Sequence, residues 1–438
     1  MLKRKIASLI EDHLRSGDKR VLIIDGARQV GKTYIVREVG NRLFPNFIEI
    51  NMIVDRDGDG LFKDVHSVRD FLIAVSSLAG DLLDRKDNTL IFIDEIQAYP
   101  HLFSLLKFLV DDNRYTYIAS GSLLGVTLMK TPSLPVGYTR AERMYPLDWE
   151  EFLWANGYGQ LAIDNLKEKF ITQESLDESQ HTRLLSLFRQ YLLIGGLPQA
   201  VATFMESLNI SRTRSIHKEI IDYYKADASQ YDAKNRLVVH RIYDMIPSNM
   251  ENRKKRMVVK DIEDRKGRTN SDYMQEYEYL ICSGIALNVQ AVSNPSYPLR
   301  QSQVKNLVKF YLNDPGLLSY ILYADNVKAV LTDERSINLG SLYETACACC
   351  LAANGHDLYY YDNREKGEVD FLVDDCNELA VLPLEIKSGR DYRIHSAISR
   401  LISNPGYNIR KGIVLSNERV VENRDGILYL PIYHVMSI

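Results

Sequence analysis

The sequence predicts an α/β fold built on a parallel sheet, and three observations carry the prediction. An apolar run, Val21-Leu22-Ile23-Ile24, leads into Gly26-Ala27-Arg28-Gln29-Val30-Gly31-Lys32-Thr33 and then into helix-compatible residues from Tyr34 to Val39. A second apolar run, Thr89 to Ile93, ends in the two acids Asp94 and Glu95. Late in the chain, alternating strand and helix patterns carry Asp370 and then Glu385-Ile386-Lys387. Continuous apolar strands suit a parallel sheet covered on both faces. Acids at the carboxyl ends of such strands lie where open α/β sheets bind ligands.

At 438 residues the chain has room for about two to four domains. With 45% hydrophobic and 26% charged residues it has the composition of a globular protein. A net charge of −4 names no partner, so any nucleic-acid contact has to be a local patch. No apolar run reaches the ~18 residues of a membrane span, so no membrane partner is expected. The basic start, Met1-Leu2-Lys3-Arg4-Lys5, is followed by no secretory apolar core, and a cytoplasmic location is expected. The cysteines, Cys282, Cys347, Cys349, Cys350 and Cys376, are odd in number and lack zinc-site spacing; they read as buried small residues rather than a disulfide framework.

Residues 1–20 read as an amphipathic helix with Ile6, Ile10 and Leu14 on one face. In the loop Gly26–Thr33, main-chain N–H groups and the following helix N-terminus form a phosphate cradle. Gly26 and Gly31 permit backbone geometry that a Cβ obstructs. Lys32 reaches the β- and γ-phosphates and the Thr33 hydroxyl ligates Mg²⁺. Phe47 to Asn51 is a short strand and Phe71 to Leu83 a helix. Asp55-Arg56-Asp57-Gly58-Asp59-Gly60 starts like a calcium loop, but its twelfth position is His66, so a solvated polar turn is expected. Asp94, at the tip of a neighbouring strand, is the expected second holder of Mg²⁺, and Glu95 the group that polarises the attacking water. The strand Tyr115 to Ala119 runs into Ser120-Gly121-Ser122, where Ser120 is either a γ-phosphate sensor or part of a serine-rich turn.

These motifs, with Pro146-Leu147-Asp148-Trp149-Glu150-Glu151-Phe152 and Gly195-Gly196-Leu197-Pro198, come in one order. In that order the chain resembles, over essentially its whole length, the prokaryotic AAA-type ATPases that carry a C-terminal domain of unassigned function. The resemblance implies ATP as cofactor, its hydrolysis, and a helical lid after the core. It also implies adenine over guanine, in keeping with the missing Asn-Lys-x-Asp run. Arg140 and Arg143 are either solvated surface residues or, in a homo-oligomer, a source of a trans-acting arginine.

Residues 165–232 read as helical, broken at Gly195–Pro198. From about 233 to 325 the pattern is three helices (Arg236 to Ile246, Met257 to Glu263, Ser271 to Cys282) and two strands (Ile285 to Val292, Leu307 to Leu312), the order of a winged-helix-like domain. Arg253, Lys254, Lys255, Arg256, Lys260, Arg265, Lys266 and Arg268 are then either DNA phosphate contacts or a solvated basic loop.

From 330 to 438, a helix (Ile337 to Ala353), strands (Asp357 to Tyr361, Glu368 to Val373, Leu379 to Lys387), a helix (Tyr392 to Ser403) and a strand (Gly412 to Leu415) follow. Glu385 and Lys387, two apart on a strand, share a face. Asp370 on the preceding strand and Glu344 on the first helix can join them. This Asp…Glu-x-Lys arrangement resembles the restriction-endonuclease-like fold, in which two acids hold Mg²⁺ and the lysine orients water. The expectation is therefore an ATPase core (1–164), a helical lid (165–232), a winged-helix-like domain (233–325) and a restriction-endonuclease-like α/β domain (330–438). Its function is Mg²⁺-dependent ATP hydrolysis coupled to the nuclease-like module. The rivals are an ATP-gated DNA nuclease and a nucleotide-controlled binding protein whose nuclease fold is inactive.

Overall fold

The computed structural model of the chain describes residues 2–438 apart from 85–87, 123–124, 126–136, 232–235, 253–254, 264–266, 325, 335–336, 364, 366, 390–392 and 394–395, with the backbone alone at 84, 228–231, 236, 305–306 and 396. It is a mixed α/β protein with two compact units, residues 3–145 with 282–284, and residues 146–281 with 285–438. Among the described residues no helix is long and apolar enough to cross a membrane.

The first unit holds a five-stranded, all-parallel sheet: β1 (Val21–Asp25), β2 (Asn46–Asn51), β3 (Thr89–Asp94), β4 (Thr116–Gly121) and β5 (Thr139–Arg143). The strand order is β2-β3-β4-β1-β5. β3 is buried along its whole length, as its unbroken apolar run requires. The helices Val68–Ala79 and Leu102–Asp112 supply Phe71, Val75, Leu102, Phe103 and Leu106 to a core shared with Ile91, Ile93 and Tyr117. Two features depart from expectation. β3 does not adjoin β1, because β4 lies between them. β5, Thr-Arg-Ala-Glu-Arg, has no apolar run and pairs on one side only, so nothing in its sequence marks it as a strand.

The second unit begins at Pro146, before the 164 expected for the end of the ATPase core. The reason is packing. Trp149 and Phe152, on the helix Trp149–Ala155, pack edge-on or tilted against Phe188 and Tyr191 of the helix Glu178–Ile194. Further helices span Gln160–Thr172, Pro198–Ser207, Ile210–Tyr231 and Arg236–Glu251.

A mixed eight-stranded sheet completes this unit. It comprises β6 (Ala286–Val292), β7 (Gln303–Leu312), β8 (Tyr359–Asn363), β9 (Gly367–Asp375), β10 (Ala380–Lys387), β11 (Gly412–Ser416), β12 (Glu422–Arg424) and β13 (Ile427–Pro431). Their order is β12-β13-β11-β10-β9-β8-β6-β7. Three helices, ending in Val259–Ile262 and Met274–Cys282, precede β6 and β7 in the expected order, and β6 and β7 form an antiparallel pair. That pair is not a free wing, because β6 also pairs with β8 and extends the C-terminal sheet. The helix expected from Tyr392 is described as Ser396–Ile402; Tyr392 lies outside the described residues.

Candidate functional site

The loop after β1 is shaped by two glycines with different reasons. Gly26 has φ +144°, and a Cβ there would meet the Met144 carbonyl oxygen at 2.2 Å, since Met144 N–H donates to Asp25 O at 2.7 Å. Gly31, at φ +93°, is the N-cap of the helix Lys32–Leu43. It offers no side chain to that helix's first N–H groups. By contrast, the helices beginning after Ser67, Asp148, Asp177 and Asp314 are each capped by that side chain. The Lys32 ammonium is buried and donates to Gly26 O at 2.9 Å and Ala27 O at 2.8 Å, spanning the loop. Burial pulls it below its ordinary pKa, against the attraction of Glu95, Asp25 and Asp94. Arg4 braces the loop by donating to Val30 O (2.9 Å) and Tyr145 O (2.6 Å), a role no motif announces.

Three neutral donors converge on Asp94. The Thr33 hydroxyl and the Asn51 side-chain amide each donate to Oδ2 at 3.0 Å, and the Ser120 hydroxyl donates to Oδ1. The strand order explains this. Asn51 is the register partner of Asp94 on β2, and Ser120 follows the partner of Ile93 on β4. Burial raises the Asp94 pKa, against the hydrogen bond from Ser120. Glu95 sits at φ +54° and turns the other way. Its Oε2 accepts from Ser122 Oγ (2.9 Å), from Ser122 N–H (3.3 Å) and from Gln97. Burial works to raise the Glu95 pKa, but Lys32 and these hydrogen bonds outweigh it and hold it below the ordinary carboxyl range. Ser120-Gly121-Ser122 thus divides its two hydroxyls between the two acids. The part played by Asn51 belongs to no motif, and the contacts of Ser122 and Gln97 with Glu95 are not readable from the motifs that hold them.

Arg143 is engaged within its own chain, with an ion pair to Asp25 at 2.9 Å; Arg140 pairs with Glu142 at 2.8 Å. Asp55, from the calcium-like stretch, accepts from Leu61 N–H, Phe62 N–H and the Tyr99 hydroxyl (2.9, 3.2 and 2.8 Å) and so organises a turn.

In the second unit the structure brings Glu344, Asp370, Glu385 and Lys387 within mutual electrostatic reach. Lys387 Nζ lies 2.6 Å from Glu385 Oε1, and Asp370 Oδ2 accepts from Ile386 N–H at 2.9 Å. Burial, then Asp370, raises the Glu385 carboxyl to about 7 against the pull of Lys387. Burial and Asp370 likewise raise Glu344. Two further ion pairs adjoin: Lys255 with Glu344, and Lys309 with Glu368. Among the described residues no group of three or more His, Cys, Asp or Glu is arranged to hold a metal ion. Of the basic stretch read as a DNA contact, the described residues divide: Lys255 and Arg256 are part-buried, whereas Lys260 and Arg268 are exposed. Lys255 holds Glu344, Arg256 holds Asp362, and Arg268 holds Asp272 at 3.1 Å. Arg253, Lys254, Arg265 and Lys266 lie outside the described residues.

The two most particular motifs make a structural knot. Leu147 N–H donates to Gly196 O at 2.6 Å, Tyr191 OH to Leu147 O at 3.0 Å, and Gly196 N–H to Asp314 Oδ2 at 2.6 Å. A Cβ on Gly195 would strike Asp314 Oδ1 at 2.0 Å, and one on Gly196 the Leu147 carbonyl oxygen at 1.9 Å. The Trp149 indole donates to Tyr433 O at 3.1 Å.

Residues 18–153 match the family model described as an AAA domain. Residues 185–328 and 339–435 match two separate models, each described as a domain of unknown function (DUF8612 and DUF4143). No curated protein matches the chain. Similar solved structures include the Walker-type ATPase PABY2304 of Pyrococcus abyssi, at 13% identity and TM-score 0.45, covering 76% of this chain and 96% of that one. The S. cerevisiae Hsp104–ADP complex aligns at 12% identity and TM-score 0.31, over 81% of this chain and 44% of that one. Cdc6p from Pyrobaculum aerophilum aligns at 13% identity and TM-score 0.26, over 76% and 94%. With its loop and acid-tipped strand, the first unit is a P-loop domain of AAA type, the architecture of an ATP-binding protein.

Proposed function

We propose that the first unit binds ATP with Mg²⁺ and hydrolyses it. The observation that carries this reading is the convergence of Thr33, Asn51 and Ser120 on Asp94, with Glu95 next in the chain and facing Lys32 electrostatically. The helix N-terminus at Gly31 and the Lys32 ammonium take the phosphates. A hydroxyl and a carboxylate 3.0 Å apart are the hard oxygen donors that Mg²⁺ prefers, so Thr33 and Asp94 fit it. When bound, Mg²⁺ neutralises charge building on the β–γ bridge. Glu95, held ionised by Lys32 and Ser122, orients the attacking water and takes its proton. Ser120 fixes the rotamer of Asp94. ATP turnover of Lys32→Ala and Glu95→Gln tests the assignment; parental rates in both would sink it.

A second reading is favoured by one observation in the second unit. Glu385 Oε2 is buried without a hydrogen-bond partner among the described residues, beside Asp370 and Lys387. An orphaned carboxylate oxygen next to a second acid is a donor that a divalent cation would take only with further ligands from substrate or water, and Lys387 would orient the attacking water. On this reading the module cleaves a phosphodiester, with DNA as substrate, under control of the nucleotide state. Cutting that requires Mg²⁺ or Mn²⁺ and disappears in Asp370→Ala and Lys387→Ala supports it. Tight nucleotide binding with no cutting under any condition supports the rival, a nucleotide-controlled docking module.

A further inference from the structure

The chain leaves the first unit at Tyr145 and re-enters it for three residues, 282–284, while 146–281 and 285–438 belong to the second unit. Those three, Cys282-Ser283-Gly284, make the turn between the helix Met274–Cys282 and β6. Three stretches of the first unit meet this turn. A Cβ on Gly284 would stand 2.9 Å from the Ala27 main-chain nitrogen and 3.5 Å from the Ala27 Cα and Cβ, so a bare α-carbon is what lets the turn lie against the phosphate loop. Gly284 also sits at φ +74°, where a residue with a Cβ is strained. Past the end of β4, a Cβ on Gly125 would stand 2.8 Å from the Cys282 Cβ and 3.1 Å from its Sγ. At the end of β5, Arg143 Nη2 donates both to Asp25 Oδ2 at 2.9 Å and to Cys282 O at 3.1 Å. One guanidinium thereby ties the turn to the residue that precedes Gly26. Ser283, in the middle of the turn, is buried.

We infer that the turn Cys282-Ser283-Gly284 is a positioning element of the phosphate loop, so that its seating and nucleotide binding form one linked equilibrium. This rests on the reading of Gly26–Thr33 as the phosphate site of ATP. The physical reason lies in what binding asks of Lys32. Its ammonium holds Gly26 O and Ala27 O at 2.9 and 2.8 Å. To take the phosphates it withdraws donors now engaged by those carbonyls. The loop then keeps its shape through what else bears on it: Met144 N–H on Asp25 O, Arg143 on Asp25, and Gly284 against the Ala27 nitrogen. A seated turn holds the loop N–H groups where the anion needs them. With the turn out, the anion has to order the loop itself, at a cost in affinity. Coupling of this kind is reciprocal, so bound nucleotide holds the turn in. The turn continues directly into Ile281 and Ile285 of the second unit, so the occupancy of the loop reaches that unit through the chain itself.

The test uses the full chain in a Cys376→Ser background, which removes the exposed thiol and leaves half-buried Cys282 beside the buried Cys347, Cys349 and Cys350. Calorimetry with ADP and Mg²⁺ reads affinity, and the alkylation rate of Cys282, located by peptide mass, reads the turn. Saturating ADP is expected to slow that alkylation by about fivefold or more. Gly284→Ala is expected to weaken ADP binding by a comparable factor and to speed alkylation when no nucleotide is present. Gly355→Ala, at φ +90° with open space around the new Cβ, controls for backbone strain and should change neither quantity. Alkylation that ignores bound ADP, or parental ADP affinity in Gly284→Ala, overturns the linkage and leaves the ATP reading standing. If Gly284→Ala does not fold, the effect of ADP on alkylation in the background protein decides alone. No heat from ADP in the folded background protein overturns the reading of the loop, and this inference with it.

Discussion

The protein contains two buried acid clusters, and they are compensated in opposite ways. Asp94 and Glu95 are met by hydroxyl and amide donors from Thr33, Asn51, Ser120, Ser122 and Gln97, with Lys32 as the nearby cation. Glu344, Glu368 and Glu385 are each met by a lysine ammonium of their own. Neutral donors orient a carboxylate without cancelling its charge. An ammonium at contact cancels it. The first arrangement leaves the carboxylate charge uncancelled by the groups that touch it, whereas the second sets an ammonium against each acid. Burying charge without a partner is costly, and both clusters are answered, the first mainly by neutral donors and the second by ammonium groups.

The largest effect is expected where this contrast is removed from chemistry but not from binding. Glu95→Gln keeps the size and the hydrogen bond from Ser122 while losing the base. Hydrolysis should fall by about 10²–10⁴-fold. ATP affinity should stay within a few-fold of the parent, because Lys32 and the loop are untouched. Single-turnover kinetics beside calorimetric ATP binding separate the two quantities. Equal loss of binding and turnover would assign Glu95 to holding the loop rather than to the reaction.

Much of the first site was legible because its parts are contiguous. Gly26–Thr33 is one loop, and Asp94-Glu95 ends one strand. The convergence on Asp94 was not legible, because it depends on the order β2-β3-β4-β1, which puts Asn51 and Ser120 either side of β3. β5 was missed because a half-buried edge strand of Thr-Arg-Ala-Glu-Arg carries no apolar period. In the second unit the strand pattern and Glu385/Lys387 were readable from local spacing. The partners Lys255 and Lys309, about 90 and 60 residues from the acids they hold, were not, since ion pairing leaves no periodic trace. Gly195-Gly196-Leu197-Pro198 announced itself as a break, but its cause is the approach of Leu147 and Asp314, which only the fold supplies.

Asp314 sharpens the comparison as a buried acid answered by neither lysine nor hydroxyl. It caps the helix Pro315–Tyr323 through Leu317 N–H at 3.0 Å and accepts from Gly196 N–H. Burial raises its pKa from the ordinary 3.8 to about 6, against hydrogen bonds from Gly196, Leu317, Gly316 and Leu197. With the folded value above the unfolded one, its contribution to stability is complete below about pH 3.8 and is lost as pH rises through about 6. Asp314→Ala should lower stability by about 1–3 kcal/mol, because it leaves backbone donors unmet, and should erase that titration step. Both tryptophans, Trp149 and Trp154, lie in this unit, so urea unfolding followed by tryptophan fluorescence from pH 4 to 7 reads it directly. A parental pH profile in the variant would assign the step to another group.

The smallest effect is expected at Asn51, and it tests whether neutral donors orient Asp94 at all. The Asn51 carbonyl oxygen accepts from Ile53 N–H (3.1 Å) and Val54 N–H (3.0 Å), so its NH₂ has to face Asp94. Asn51→Ala removes one of three donors and leaves Thr33 and Ser120 in place. A hydrogen bond to a charged group is worth about 1.5–3 kcal/mol, softened here by the two that remain. The Mg²⁺ concentration for half-maximal ATP turnover should therefore rise by about fivefold, with little change in the rate at saturating Mg²⁺. Asn51→Ser retains an acceptor for the helix start and controls for the lost cap. If Asn51→Ala leaves the Mg²⁺ midpoint where it was, Thr33, Ser120 and the strand position Asp94 without Asn51, and this donor has no part in orienting the acid.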